Sequence, residues 1–228
     1  MKMSQIFKVI QVEHFSTDTL QLILKPTQPF RYQAGDYLLL GFEQEDLKPF
    51  SIASSPRNDG HIELHIRKHE DNAWNQRLFT LEAGDEVLVE GPKPQYKLDD
   101  DLCEKQKPIL FVAGGTGFAP LKALLDELLA SGCSNPIQFY WGSRQKDDLY
   151  MRKQMIALAK HHANLDYIEV LSEPSETDTS LKGLVHKVVL EQHPSLADFR
   201  VYLCGPWPMV QAAKEEFAAA GLPDSQFN

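Results

Sequence analysis

Short segments that alternate apolar and polar residues fill the first hundred positions of the chain. The stretch Thr19 to Lys25 alternates three leucines with polar neighbours, which is the period of a strand with one buried face. Further strands are predicted at Ile6 to Glu13, Tyr37 to Phe42, Phe50 to Ser54, Ile62 to Arg67 and Glu86 to Gly91. Because turn residues separate these strands, the pattern predicts a small antiparallel β barrel or sandwich, with one short helix near Asn72 to Leu81.

The pattern changes after the polar stretch Leu98 to Lys107. Ile109 to Ala113 is a continuous apolar run of strand length, as in a parallel strand buried on both faces. A helix with a leucine-rich face follows, with Pro120 in its first turn and Gly132 at its end. Alternation then predicts strands at Ile137 to Trp141, Leu165 to Leu171 and Arg200 to Cys204, and helices at about Asp148 to His162, Leu181 to His193 and Pro208 to Ala220.

Alternating strands and helices predict a doubly wound parallel sheet. The fold class is therefore a β barrel followed by an α/β domain, with residues 1–103 in the first and 104–228 in the second. Ligands of open parallel sheets bind at the carboxyl ends of the strands, where the strand order reverses. Residues that directly follow the predicted parallel strands are therefore the first candidates for a binding site.

Charge and hydropathy exclude several classes of function. The 228 residues include 23 basic and 32 acidic ones, for a net charge of −9, which argues against nucleic-acid binding because phosphate contacts need clustered cations. No apolar run approaches the roughly 20 residues that span a bilayer. The first ten residues lack the apolar core of a signal peptide. We therefore expect a cytoplasmic monomer without a membrane partner.

Cysteine and histidine spacing predicts neither cross-links nor metals. Cys103, Cys133 and Cys204 are far apart and odd in number, which is not the pattern of a disulfide framework. They also cannot hold a two-iron cluster, which takes four thiolates in this class of protein. The eight histidines show no ligand spacing. We expect no metal site.

A glycine-rich turn follows the first parallel strand. Glycines let a backbone approach a phosphate closely, and the N-terminus of the next helix offers N–H groups and positive potential. The turn therefore suits a pyrophosphate, although tight packing alone would also explain the glycines. The residues are Gly114, Gly115, Thr116 and Gly117.

Two other strands end in candidate binding residues. Ser143 and Arg144 could hold a ribose or its phosphate, because arginine presents a rigid fork of donors; a solvated arginine in a polar loop is the alternative. The segment Cys204-Gly205-Pro206 would place a thiol at the ligand crevice, with a buried cysteine at a strand end as the alternative.

Lys48-Pro49-Phe50-Ser51 opens a strand of the predicted barrel. Pro49 restricts its own backbone and that of Lys48 to an extended conformation. A cation and a hydroxyl three residues apart could serve one anionic, aromatic ligand. The alternative is an ordinary strand start with a surface lysine.

Taken together, five segments resemble the ferredoxin–NADP reductase superfamily, and within it the NAD(P)H:flavin oxidoreductases, over essentially the whole chain. Their order and spacing make the resemblance specific, although each segment alone is modest. The segments are Lys48-Pro49-Phe50-Ser51-Ile52-Ala53-Ser54, Ile62-Glu63-Leu64-His65-Ile66, Gly114-Gly115-Thr116-Gly117-Phe118-Ala119-Pro120, Tyr140-Trp141-Gly142-Ser143-Arg144 with Leu149-Tyr150, and Tyr202-Leu203-Cys204-Gly205-Pro206.

The resemblance implies hydride transfer from NADH or NADPH to FAD or FMN, with the flavin either bound or used as a substrate. Ser51 would hydrogen-bond near flavin N5, and Cys204 would lie beside nicotinamide C4, so these two are the implied catalytic residues. The flavin would contact Lys48, Pro49, Phe50, Ser51, His65, Ile66 and Arg67. The nicotinamide cofactor would contact Gly114, Gly115, Thr116, Gly117, Pro120, Ser143, Arg144, Cys204, Gly205 and Pro206.

Two departures from the family pattern bear on how flavin is held. Members that keep FAD permanently carry a Gly-x-x-Ser/Thr segment, whereas Arg67 to Asn72 has no glycine here, and Gly91-Pro92-Lys93-Pro94 replaces the usual Gly-Pro-x-Gly. Both favour an enzyme that reduces free flavin. The alternatives are an electron-transfer component with bound FAD, which serves an acceptor protein such as a monooxygenase, and a non-catalytic nucleotide sensor.

Overall fold

The computed structural model describes residues 4–228 and confirms an antiparallel barrel in the first half of the chain. Its sheet has the order β4-β3-β6-β1-β2-β5. Beyond β4, Ile52 bridges Leu64 of β5, and the Ala53 N–H donates to the Glu63 carbonyl at 2.8 Å, which closes the sheet on itself. The strands are β1 (Gln5–His14), β2 (Thr19–Pro26), β3 (Tyr37–Gly41), β4 (Lys48–Ser51), β5 (Ile62–Arg67) and β6 (Glu86–Lys93).

Alternate residues of these strands fill the barrel, as the two-residue period predicts. Leu20, Leu22 and Leu24 of β2 are fully buried, and each contributes about 2 kcal/mol relative to exposure. The predicted short helix is present as α1 (Ala73–Leu78), and the Asn72 side chain caps its N-terminus by accepting from the Asn75 N–H.

The second half forms a parallel sheet with the order β10-β9-β8-β7-β11. Helices cover both faces: Phe118 packs on Phe139 on one face, and Val189 and Phe217 pack with Leu110 on the other, so the doubly wound prediction is confirmed. The elements are β7 (Ile109–Gly114), α2 (Phe118–Ala130), β8 (Ile137–Ser143), α3 (Arg152–His161), β9 (Leu165–Leu171), β10 (Leu181–Lys182), α4 (Val185–Gln192), β11 (Arg200–Cys204) and α5 (Trp207–Ala219).

The strand order reverses beside β7. From β7 the chain proceeds outward to β8 and β9, and it later returns to place β11 on the opposite side of β7. The carboxyl ends of β7 and β11, at Gly114 and Cys204, therefore flank the point where open parallel sheets bind their ligands.

Two predicted helices begin about four residues later than expected, α3 at Arg152 rather than Asp148 and α4 at Val185 rather than Leu181. The sequence predicts a helix from Leu181, but Leu181 and Lys182 pair with Val170 and Leu171 as a fifth parallel strand. Gly183 follows with a φ of 132°, which separates this strand from the helix at Val185. A strand of two residues is too short to give a periodic signal.

Two cysteines form a disulfide, so the expectation of no cross-link is wrong for Cys103 and Cys133. Their Cα atoms lie 5.4 Å apart although 30 positions separate them in the chain. The Asn135 side chain donates to the carbonyls of Leu102 and Lys107, both at 2.9 Å. These bonds bring the segment before β7 against the loop after α2, a long-range contact that spacing alone does not reveal.

The chain divides into two compact units. The first contains Met1–Lys97 with Lys122–Glu127, and the second contains Leu98–Leu121 with Leu128–Asn228. The boundary after residue 103 stays a prediction. Within residues 4–228, no helix has the length and apolar character needed to cross a membrane.

Candidate functional site

The segment Lys48–Ser51 forms β4 and presents two faces. Phe50 lies opposite Leu38, and Ser51 lies opposite Tyr37. Directly opposed residues point to the same side of a sheet, and Leu38 is fully buried in the barrel. Phe50 and Lys48 therefore share the face of β4 on which Leu38 lies, with Phe50 packed at the edge of the barrel core, whereas Pro49 and Ser51 occupy the other face.

Ser51 has a hydroxyl with only a weak partner. Its Oγ lies 3.5 Å from Gln95 Oε1, at the outer limit of a hydrogen bond. Ser51 and Phe50 are half-buried, and Lys48 and Pro49 are exposed. The motif therefore offers a cation, an aromatic ring and a hydroxyl that are all accessible to a ligand.

The predicted residues of β5 are largely committed to the protein itself. His65 is buried, with Nε2 2.9 Å from Glu63 Oε1, and Ile66 belongs to the barrel core. Arg67 is more exposed and pairs with Asp18 at 3.1 Å. The structure brings β5 beside the end of β4, but His65 and Ile66 could reach a ligand only through their backbone.

A buried network of charged and polar side chains fills the outward face of β5. Glu63 Oε1 accepts from Gln21 Nε2 at 2.6 Å, in addition to its contact with His65. Lys122 Nζ lies 3.6 Å from Glu63 Oε2 and 2.8 Å from Asp126 Oδ2. Since Lys122–Glu127 belongs to the same unit as the barrel, this network is part of that unit.

Glu63 is ionised despite its burial. Burial raises the pKa of Glu63, but the hydrogen bond with His65, the charge of Lys122 and the bond from Gln21 outweigh it and lower the pKa from 4.5 to about 2. Burial lowers the pKa of His65, against the opposing influence of Glu63, so the imidazole stays neutral. Lys122 is shared by Glu63 and Asp126, and the Glu63 carboxylate has partners within the protein on both oxygens, so this network is committed to β5 rather than to a ligand.

The glycine-rich turn after β7 is confirmed, and packing accounts for two of its glycines. A Cβ on Gly117 would overlap the backbone carbonyl of Cys204, and one on Gly114 would lie 2.6 Å from Met209 Sδ. Glycine is therefore needed here for close packing against the end of β11. Packing does not exclude phosphate binding, because the turn still leads directly into the N-terminus of the 13-residue α2.

Thr116 is the polar side chain of this turn. It is half-buried, and its hydroxyl has no hydrogen-bond partner among the residues the structure describes. Pro120, by contrast, is buried within the first turn of α2. Thr116 is thus available to a ligand, whereas Pro120 contributes to packing.

Trp141, whose sequence position predicts no role in the site, holds the glycine turn in place. Its Nε1 donates to the Gly115 carbonyl at 2.9 Å. Its ring stacks on Phe118, with centroids 3.8 Å apart and planes inclined by 14°. The position of Trp141 in the Tyr140-to-Arg144 segment was the only signal, and it did not indicate which loop the indole would hold.

The end of β11 lies against the same turn. Cys204 is half-buried and forms no disulfide. A Cβ on Gly205 would meet the Met209 side chain and lie 3.1 Å from the Gly114 backbone, and Pro206 is exposed just before α5. The two glycine-bearing strand ends therefore form one closely packed cradle that leaves little room for side chains.

Ser143 and Arg144 lie at the end of β8 and differ in availability. Ser143 Oγ donates to the Gln145 carbonyl at 2.7 Å, so its hydroxyl shapes the loop. The Arg144 carbonyl accepts from the Glu173 N–H at 2.8 Å, but its guanidinium is exposed and has no partner among residues 4–228. Arg144 is the stronger candidate for a phosphate contact.

The donor sets suit the two predicted ligands. A phenyl ring with a hydroxyl and a lysine nearby fits a flavin, and a glycine cradle with a threonine and an arginine fits a nicotinamide nucleotide. Across residues 4–228, no group of three or more His, Cys, Asp or Glu side chains could hold a metal ion.

Comparison with known proteins also divides the chain into a FAD-binding part and an NAD-binding part. An oxidoreductase FAD-binding domain matches residues 6–98, and an oxidoreductase NAD-binding domain matches residues 111–215. The NAD(P)H-flavin reductase of Aliivibrio fischeri is 35% identical over 216 residues, which are 92% of this chain and 90% of that relative.

Longer reductases are also similar to this chain. The reductase component of propane 2-monooxygenase from Mycolicibacterium goodii is 31% identical over 228 residues, covering 96% of this chain and 65% of that relative. The crystal structure of the Amycolatopsis cytochrome P450 reductase superposes with a TM-score of 0.91 at 27% identity, covering 99% of this chain and 68% of the other.

Proposed function

This chain belongs to the NAD(P)H-flavin reductase family of the ferredoxin–NADP reductase superfamily, and from that premise we propose that it reduces flavins as substrates. The enzyme transfers a hydride from NADH or NADPH to riboflavin, FMN or FAD and releases the reduced flavin. Family membership supports the redox reaction. The turn between β5 and α1 is the observation that supports release of the product.

This turn and the first residues of α1, which we together call the barrel turn (Lys68–Asn75), have four backbone N–H groups that already donate within the protein. The His69 N–H donates to Asn75 Oδ1 at 2.7 Å, and the Asn75 N–H donates to Asn72 Oδ1 at 3.0 Å. The Lys68 N–H donates to the Asp18 carbonyl at 2.7 Å, and the Asn72 N–H to the His69 carbonyl at 3.0 Å. These donors are therefore not available to a pyrophosphate.

The barrel turn carries two carboxylates against one cation, Lys68, and this net negative charge disfavours a second phosphate. Glu70 and Asp71 are exposed, and each adds a negative charge beside the helix start. Arg67 is paired with Asp18 at 3.1 Å. The site would thus bind the ring and ribityl chain common to all flavins, and it would gain little from the adenylate half of FAD.

The remaining residues take the roles that the family resemblance implies. Ser51 hydrogen-bonds the flavin near N5, and Lys48 contacts the ribityl chain or its phosphate. Thr116 and the glycine turn bind the pyrophosphate of the nicotinamide cofactor, Arg144 contacts its adenosine ribose, and Cys204 borders the nicotinamide. The bound nicotinamide supplies the hydride, so these residues bind and orient and form no covalent bond.

Equilibrium dialysis of the flavin-free protein against riboflavin, FMN and FAD tests this proposal. We expect dissociation constants in the micromolar range, about −8 kcal/mol, and similar for the three flavins. A steady-state assay that crosses the same flavins with NADH and NADPH should give turnover with each flavin. A nanomolar constant for FAD alone, with riboflavin about a thousandfold weaker, contradicts release of the flavin.

A second candidate function follows from the longer relatives. The monooxygenase reductase component and the cytochrome P450 reductase are both similar to almost all of this chain, which favours bound FAD that passes electrons to a protein acceptor. Purified protein would then carry a stoichiometric yellow chromophore through gel filtration. Colourless protein that reduces added flavin supports the first function over this one.

A further inference from the structure

An aromatic side chain outside the five family segments packs on Phe50 of the segment Lys48–Ser51. Trp74 of α1 stacks on Phe50 of β4, with ring centroids 6.0 Å apart and planes inclined by only 16°. This is an offset-stacked pair within the distance at which aromatic rings attract. Both rings are half-buried, so the pair lies at the edge of the barrel core.

The orientation of the indole is fixed from its polar edge. Trp74 Nε1 donates to Asp46 Oδ2 at 2.7 Å. The other oxygen of Asp46 accepts from the N–H groups of Phe42 and Glu43, both at 3.0 Å. Asp46 therefore cannot swing away without losing three hydrogen bonds, and the Trp74 ring plane is set by the backbone of the loop before β4.

Further contacts hold this loop in place. Phe42 meets Trp74 edge to face, with centroids 5.6 Å apart at 63°, and the Arg77 guanidinium lies 3.9 Å from the Phe42 ring centroid. A Cβ on Gly41 would overlap Asp46 Oδ1, so the tucked position of Asp46 depends on glycine there. The Asp46 hydrogen bond and the Phe42 ring contact thus each restrict the orientation of the Trp74 indole.

We propose that Trp74 is a positioning residue that holds the plane of Phe50, on which the ring system of the flavin substrate stacks. The inference rests on the proposed function, because it takes Phe50 as part of the flavin site. A phenyl ring with one stacked neighbour loses less freedom when a flat ligand covers its other face. The ring system is common to all flavins, so Trp74 affects each of them equally.

The test compares Trp74→Leu and Trp74→Phe with a matched control, Phe30→Leu. Phe30 is also half-buried against the barrel core, where it packs edge to face on Phe7 at 5.1 Å, and its ring contacts within residues 4–228 are with Phe7 and Tyr32. Equilibrium dialysis measures binding of riboflavin, FMN and lumiflavin, which is the flavin ring system with only a methyl group on N10. Steady-state kinetics and thermal unfolding accompany each variant.

We expect Trp74→Leu to raise the dissociation constants of all three ligands by one common factor of about ten, as loss of an aromatic stacking partner predicts. The KM for flavin should rise similarly, while kcat and the KM for NADH stay within about twofold. Trp74→Phe should restore binding to within about threefold of the wild type, because the stacked ring remains. Phe30→Leu should lower the melting temperature and leave flavin binding unchanged.

Other results would contradict either the role of Trp74 or the proposed function, and the two cases can be distinguished. If Trp74→Leu lowers the melting temperature as Phe30→Leu does but leaves binding unchanged, Trp74 only completes the core and the inference fails. If Trp74→Leu does not fold, Trp74→Met fills similar space without an aromatic face and carries the same expectation. If the wild type reduces no flavin with either nicotinamide nucleotide, the proposed function itself fails, whatever the variants bind.

Discussion

Two strand-to-helix turns of this protein differ in what they offer to a phosphate group. In the barrel turn, the side chains of Asn72 and Asn75 accept hydrogen bonds from two of the backbone N–H groups, Glu70 and Asp71 outnumber the single cation Lys68, and the helix that follows has six residues. The turn Gly114–Gly117 has no charge, keeps the Thr116 hydroxyl without a partner among residues 4–228, and leads into a helix of 13 residues. Under the proposed function, this contrast predicts that the nicotinamide nucleotide is bound through its phosphates and the flavin through its ring.

The largest effect on stability is expected from the charge network on β5, the strand that leads into the barrel turn. Lys122→Met removes the cation nearest Glu63 and leaves a buried carboxylate with only His65 and Gln21, which should lower the free energy of unfolding by about 3 kcal/mol. Chemical denaturation measures it. Adding Glu63→Gln to Lys122→Met should recover part of the loss. A double variant that is less stable than Lys122→Met contradicts this account of the network.

The same network predicts acid sensitivity of the barrel. The pKa of Glu63 is lowered from 4.5 to about 2, so its stabilising contribution is present above pH 4.5 and is lost as the pH falls towards 2. The pKa of His65 is lowered by burial, which also reduces stability as the pH falls below 6.5. In Glu63→Gln, unfolding free energy measured against pH should flatten between 4.5 and 2. An unchanged slope there would assign the acid sensitivity to other groups.

In the glycine turn, Gly117→Ala should disturb ligand binding and stability together. Its methyl group would overlap the Cys204 carbonyl, and overpacking of this kind costs about 1–3 kcal/mol. We expect a lower melting temperature and a KM for NADH raised by about tenfold or more. Thr116→Ala is the matched control, which should raise that KM with an unchanged melting temperature. If Thr116→Ala changes neither, the turn serves packing alone.

These examples show what the sequence could predict. Apolar runs followed by glycine predicted the parallel sheet, the point where its strand order reverses and the glycine turn there. They could do so because burial of a strand and close approach of two backbones each restrict the residue types at neighbouring positions. The disulfide of Cys103 with Cys133 and the hold of Trp141 on Gly115 join distant positions, and no local pattern encodes them. The two-residue strand Leu181–Lys182 was missed because it is shorter than any period.

Ser51 offers an open hydroxyl on the barrel side. Since its contact with Gln95 is only 3.5 Å, Ser51→Ala should leave stability nearly unchanged. We expect kcat to fall at least about tenfold, equivalent to ~1.4 kcal/mol of transition-state stabilisation. Ser51→Thr, which keeps the hydroxyl, is the control and should retain more activity than Ser51→Ala. Unchanged kcat and flavin KM in Ser51→Ala would remove Ser51 from the site.

The smallest effect concerns the charges of the barrel turn, and it addresses the contrast between the two turns directly. Glu70→Gln with Asp71→Asn removes two exposed carboxylates and leaves the hydrogen bonds of Asn72 and Asn75 in place. Exposed charges contribute up to about 1 kcal/mol at low salt, so FAD should bind up to about fivefold more tightly, with riboflavin unchanged. Dialysis at low and high ionic strength measures both, and the gain should shrink with salt. Equal tightening of riboflavin would show that the carboxylates act on the ring site instead. A gain in FAD affinity of a hundredfold or more would show that charge alone, and not the four bonded N–H groups, keeps the adenylate half of FAD from binding.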